Sequence, residues 1–256
     1  MIELFQMDEV KESPQSGELK TATVIEGLGT PEPVDYKKVL GDARTIFLSD
    51  DHGSFLVKDA SKDALAELSK LGVTDLALEM LPEGFDTTDG DAVTEYLKKN
   101  WDKSPGMAEK YKELIDYAKS LGLRVWGLDI SAQSYQAKSI SDTFVERNQQ
   151  WADLIADRLI DTPDAKVVVF GGSAHSGYYP VGDRANNLLD KKGNKSVVVN
   201  YWGGDSVMTY LPEAKLVHDY IQNNNIESGF MVRIANPSRS SDYIVHIAQV
   251  AQQHKS

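Results

Sequence analysis

Glu67–Glu79 reads ELSKLGVTDLALE, and further along Tyr117–Asp129 reads YAKSLGLRVWGLD. Both stretches end a helical pattern on Leu-Gly, then run into a short apolar segment that closes on an acid. Gly72 stands seven residues before Glu79, and Gly122 seven before Asp129. A glycine just past a helix suits the left-handed backbone that terminates it. The layout is helix, turn, strand, carboxylate, twice over. Units of this kind build parallel sheets.

Working outward, β-branched runs occur at 45–49, 75–79, 124–129, 166–171, 196–202, 231–235 and 243–250. Helical patterns fall near 59–71, 91–100, 107–121, 140–160, 181–191 and 212–224. Strands alternating with helices predict an α/β fold, a largely parallel central sheet with helices on both faces. The last two runs are separated only by NPSRSSD, which predicts an antiparallel edge pair near the C-terminus. Residues 1–40 are polar and rich in Pro, Gly and Glu. They read as an irregular N-terminal arm, with one short strand near Thr21–Ile25. Residues 41–256 read as a single α/β domain.

Composition narrows the function. Lys+Arg 27 against Asp+Glu 39 gives a net charge of −12, which repels phosphate backbones and anionic membranes. Nucleic acid is therefore not an expected partner. The chain has no cysteine, so disulfides, thiolate metal sites and a cysteine nucleophile are ruled out. No apolar run approaches the ~20 residues of a membrane helix, and a soluble protein with no integral membrane segment is expected. The start, MIELFQMDEVKESP, is acidic where a secretory leader is basic and then apolar. The compartment stays open: cytoplasmic, or secreted or translocated if a leader has been removed or the chain is excised from a longer one.

Ligands of open α/β sheets bind beyond the carboxyl ends of the strands. Four strands finish there with residues capable of chemistry. TIFLSDDHGS (45–54) delivers Asp50, Asp51 and His52, LALEML ends on buried Glu79, WGLD ends on Asp129, and VVVFGGSAH (167–175) leads to His175. Arg147 is a fifth candidate. In the helix ISDTFVERNQQWADLIADRL it falls on the face of Ile140, Phe144, Trp151 and Ile155, and an inward guanidinium must be paired. Arg158 lies on the same side, near the helix end, where it can snorkel. His218, His246 and His254 read as structural or peripheral.

FGGSAHSG admits rival readings. A phosphate loop is disfavoured because no Lys-Ser/Thr follows and G-x-G-x-x-G is absent. A nucleophile elbow around Ser173 lacks the final glycine, and SGYYPVG breaks the helix such an elbow needs. His52, Glu79 and His175 would make a two-His, one-carboxylate set suited to Zn or Mn. The three are too dispersed in sequence for spacing to support or exclude a metal.

Taken in order, these motifs resemble the haem-binding-uptake/Tiki superfamily, which includes erythromycin esterases, Tiki and TraB proteins, haem-binding lipoproteins and domains of bacterial toxins. The strand-then-G-E-x-H signature reads Ser49-Asp50-Asp51-His52 here. A strand ending in Glu is LALEML, G-F-D is Gly127-Leu128-Asp129, and R-N or R-D is Arg147-Asn148. G-x-x-H is Gly172-Ser173-Ala174-His175. The set spans about half the chain. Ser49 and Asp50 depart from the Gly and Glu of the first signature.

The resemblance implies a hydrolase, esterase- or peptidase-like, acting on a small-molecule or peptide substrate, in some branches as an effector or toxin module. It implies His52 as general base on water and Glu79 orienting it. Arg147 and His175 would face the developing oxyanion, Asp50 would lie behind His52, and Asp129 would support Arg147. A metal-free site is expected, with a divalent ion (Mn or Zn) on His52, Glu79 and His175 as the alternative within the hydrolases. The alternative outside them is a non-enzymatic haem- or ligand-binding protein, with Tyr178 and Tyr179 as candidate haem ligands.

Overall fold

The computed structural model describes residues 24–25, 28–102, 104–130, 140–177, 183–203, 212–226, 228–234 and 241–247. Its strands are β1 (Thr45–Asp50), β2 (Asp75–Pro82), β3 (Arg124–Asp129), β4 (Val167–Gly172), β5 (Ser196–Gly203), β6 (Phe230–Arg233) and β7 (Tyr243–Ile247). Its helices are α1 (Tyr36–Leu40), α2 (Phe55–Lys70), α3 (Gly90–Asn100), α4 (Met107–Ser120), α5 (Ile140–Asp161), α6 (Ala185–Lys191) and α7 (Pro212–Asn224).

The strands form one seven-stranded sheet in the order β3-β2-β4-β1-β5-β7-β6. Every neighbouring pair is parallel except β6–β7, the antiparallel edge pair that the NPSRSSD connection predicts. The expected α/β fold is thus the observed one. β1 and β4 are buried along their whole lengths, as strands covered on both faces must be. On one face Ile46, Leu48, Leu76, Leu78, Val168 and Phe170 pack under α2, α3 and α4. On the other, Phe47, Ala77, Val167, Val169 and Val198 pack under α5 and α6. Each such side chain taken fully out of water contributes roughly 1.5–3 kcal/mol.

Local chemistry sets the element ends. Ser54 caps α2 by accepting from the Val57 N–H at 3.0 Å. Gly72 (φ 85°) and Gly122 (φ 78°) both adopt the left-handed conformation anticipated after a helix. The end of the region read as an irregular arm is ordered instead. Tyr36, Val39 and Leu40 of α1 enter the core, the Tyr36 hydroxyl meets that of Tyr201 at 3.0 Å, and Glu32 bridges Met231 antiparallel. The strand anticipated near Thr21–Ile25 falls mostly outside the described residues, and Val24 and Ile25 are not in a strand.

The order places β3, β2, β4 and β1 side by side, so four contiguous strands end where Asp129, Glu79, Gly172 and Asp50 lie. Register slips between β2 and β3 just before this edge: Leu78 pairs with Gly127, but the next pair is Pro82 with Asp129. The extra β2 residues bulge and re-aim Glu79. Gly127 makes room for them, since a Cβ there would lie 2.1 Å from the Pro82 carbonyl oxygen.

Candidate active site

The bulged end of β2 carries Glu79 into the centre of the crevice, where its carboxylate is almost fully buried. One oxygen, Oε1, accepts from Arg147 Nη2 at 2.5 Å, and Oε2 accepts from the Gly172 N–H at 2.5 Å. Arg147 also holds Asp129, with Nε donating to Oδ1 at 2.6 Å and Nη2 to Oδ2 at 3.2 Å. The inward guanidinium of α5 therefore clamps the carboxylates that close β2 and β3. Burial pushes Glu79 upward, but the charges of the neighbouring imidazoles and Arg147 and the Gly172 N–H outweigh it, and the carboxyl is held down at about 2.

His52 stands just beyond β1, about a third of its side chain exposed. Its Nδ1 meets Asp50 Oδ2 at 2.8 Å, while Nε2 points toward Glu79 Oε2 at 3.7 Å. The carboxylate hydrogen-bonded to the ring is thus Asp50, while Glu79 stands 3.7 Å off. Asp50 is itself over-determined. Oδ2 also accepts from the Tyr111 hydroxyl at 2.6 Å, and Lys58 Nζ lies 2.7 Å from Oδ1. Lys58 is completely buried, donates to the Asp51 carbonyl at 2.6 Å, and sits 4.7 Å from the Tyr111 ring centroid. Burial pushes the His52 pKa down, yet the Asp50 hydrogen bond and the Glu79 charge prevail and raise it. The two carboxylates on either side of the ring thus outweigh the opposing charge of Lys58.

His175 is the opposite case. The turn after β4 places it between the rings of Phe144, at 4.6 Å, and Trp151, at 4.4 Å. Burial in that sandwich drives its pKa down to about 3. Its tautomer follows from the network. Asn148 Nδ2 donates to the Asp183 carbonyl at 3.1 Å, so its Oδ1 must accept from His175 Nδ1–H at 2.7 Å. Neutral His175 then presents an unprotonated Nε2, 3.6 Å from Glu79 Oε1. Gly171 permits this packing, since a Cβ there would lie 2.8 Å from Trp151 Cη2 and 3.1 Å from Glu79 Oε2.

The structure therefore brings His52, Glu79, Arg147, His175, Asp50 and Asp129 together at one sheet edge. Tyr178 and Tyr179 lie outside the described residues. Sequence reading missed Lys58 and Tyr111, and it quoted Asn148 in the R-N signature without a contact to His175. It also missed Arg184, whose guanidinium lies over the Phe144 ring, 4.6 Å from its centroid. Arg158 leaves the site altogether and grips Asp75 at the opposite end of β2, with Nε–Oδ1 2.8 Å and Nη2–Oδ2 3.0 Å. His246 is structural, its Nδ1 3.2 Å from the Trp202 carbonyl.

A divalent ion does not fit the His52, Glu79, His175 set as arranged. Both Glu79 oxygens are engaged by Arg147 and Gly172, and an adjacent guanidinium opposes a second cation. Among the described residues no group of three or more His, Asp or Glu side chains is placed to hold a metal.

No protein-family model and no curated protein matches the sequence. Several solved structures share the fold. The type III effector HopBA1 is 17% identical, with a TM-score of 0.57 over 81% of this chain and 89% of its own. A succinoglycan biosynthesis protein is 13% identical, with a TM-score of 0.52 over 84% of this chain and 90% of its own. ChaN of Campylobacter jejuni, solved with cofacial haem, is 17% identical, with a TM-score of 0.45 over 83% of this chain and 91% of its own. Among the described residues no helix is long and apolar enough to cross a membrane.

Proposed function

We propose that the chain is a hydrolase of ester or amide bonds, working on a small-molecule or peptide substrate without a metal. One observation carries the proposal: the Asp50–His52 pair turns Nε2 of a partly exposed imidazole toward Glu79, whose other oxygen lies near the unprotonated Nε2 of His175. Neither Nε2 is within hydrogen-bond distance of Glu79. With the His52 ring neutral and its Nδ1–H given to Asp50, three acceptors converge on a space that a donor such as water would satisfy.

In this reading His52 takes a proton from water as the oxygen attacks the substrate carbonyl carbon. The same proton passes to the leaving oxygen or nitrogen as that bond breaks. Asp50 fixes the tautomer and steadies the imidazolium. Glu79 and His175 hold the water. Because His175 spends its single N–H on Asn148, it serves as an acceptor, and the positive charge opposite the developing oxyanion falls to Arg147. The fold shared with HopBA1 extends the proposal to a role as an effector or toxin module.

The test is turnover of a panel of aryl esters, lactones and peptides, with and without chelator. Chelator-resistant turnover lost in His52→Ala and reduced roughly 10²–10⁴-fold in Asp50→Asn is expected. Turnover unchanged in both variants, with circular dichroism intact, would falsify the assignment.

A further inference from the structure

The polar floor of the crevice does not stop at Glu79. Phe47, Ala77, Val169 and Val198 lie on one face of the sheet. Two residues further along each strand, the same face carries Ser49, Glu79, Gly171 and Asn200. Ser49 is in register with Gly171 on one side and Asn200 on the other. The layer thus runs from the carboxylate on β2 across β4 and β1 to an amide on β5.

At its β5 end the layer is unfinished. Ser49 Oγ meets Ser176 Oγ at 3.2 Å, and the next residue, Gly177, donates its N–H to Asn186 Oδ1 at 2.9 Å. Asn186 Nδ2 and both amide atoms of Asn200 have no hydrogen-bond partner among the described residues, although the two side chains are fully buried (Asn186) and nearly so (Asn200). A buried polar atom left unpaired costs about 1–3 kcal/mol, and three such atoms on Asn186 and Asn200 are not a neutral choice for a packed interior. None of them takes part in the hydrolytic machinery.

We propose that this corner is a binding subsite for a neutral carboxamide, such as a peptide group or an Asn or Gln side chain, three strands along from Glu79. The planar edge of Asn200 offers one donor and one acceptor side by side, the complement of another amide edge. Asn186 adds a donor to a carbonyl oxygen, which can accept twice. Asn200, Asn186, Ser49 and Ser176 are all uncharged, so a carboxylate or an ammonium group would lose solvation without a counter-charge. If the proposed hydrolysis holds, this subsite narrows its substrates to amide-bearing ones; the test below reads binding alone and so succeeds or fails independently of turnover.

Acetamide is the probe. Titrated into the full chain, it shifts the side-chain NH₂ resonances of Asn200 and Asn186, while acetate and ethanol at equal concentration do not. Asn200→Leu weakens acetamide binding at least about tenfold, the loss expected from two hydrogen bonds. Its denaturation midpoint is held or raised, because an unpaired amide has been replaced by an apolar side chain of similar size. A crystal soaked in acetamide serves if that variant does not fold, with the amide seated on Asn200 as the expected result. Ordered waters that satisfy Asn200 and Asn186 and are not displaced, an equal response to acetate or ethanol, or unmoved resonances would each overturn the proposal.

Discussion

Lys58→Met is the sharpest probe of the electrostatic design. The ammonium is wholly buried and lies 2.7 Å from the equally buried Asp50 Oδ1. Methionine keeps the stem and removes the charge, leaving Asp50 with the Tyr111 hydroxyl and the His52 ring. Breaking a buried pair by deleting one partner costs about 3–5 kcal/mol, because the remaining charge is uncompensated. A domain of this size has a total stability of about 5–15 kcal/mol, so the variant should lose a large share of it in urea denaturation. Lys58→Met with Asp50→Asn removes the stranded charge, and stability should return to within about 1–2 kcal/mol of the parent, since neutralising both partners is often tolerated. A second readout is independent of folding energy. The Lys58 charge opposes protonation of His52, so deleting it should raise the His52 pKa measured by NMR. A loss below about 1 kcal/mol together with an unmoved His52 pKa would refute the claim that Lys58 holds Asp50.

Acid should destabilise the fold in a defined window. His175 titrates at about 3 when folded against an ordinary value of 6.5, so as pH falls through 6.5 the unfolded chain takes up a proton that the folded chain refuses. Glu79 adds a further loss between its ordinary 4.5 and about 2. The stability difference between pH 7 and pH 4.5 should therefore shrink by about 2–3 kcal/mol in His175→Gln, as urea titrations at the two pH values can check. Asn148→Asp places a carboxylate on His175 Nδ1 and should raise that imidazole's pKa; an NMR titration showing no upward shift would contradict the assigned tautomer. Gly171→Ala should cost about 1–3 kcal/mol by pressing on Trp151, visible as a lowered thermal midpoint and altered tryptophan emission.

Much of this was readable from the chain. The Leu-Gly-strand-acid repeat gave the parallel sheet because period, turn glycine and strand length all agree locally. Arg147 was legible from helical geometry, and its partners followed from the rule that an inward charge must be paired. Lys58 obeys the same geometry: with Ser61, Leu65 and Leu68 it falls on the buried stripe of α2. It escaped notice because FLVKDASKDALAELSK is rich in charges that do face water. Nothing in the chain singles out Tyr111, since a hydroxyl that reaches Asp50 across 61 positions leaves no trace in local pattern. The different contacts of Asp50 and Glu79 were likewise hidden, because the placement of Glu79 depends on a bulge in β2 that only pairing with β3 reveals.

The chain order of the strands has a consequence for how the molecule is made. β4 lies between β1 and β2, which share no hydrogen bonds with each other. Val167–Gly172 is the keystone between the strands that carry His52 and Glu79, and it supplies the Gly172 amide that holds Glu79. The inserted strand also brings the turn that carries His175. Every backbone hydrogen bond that ties the His52 strand to the Glu79 strand therefore runs through β4.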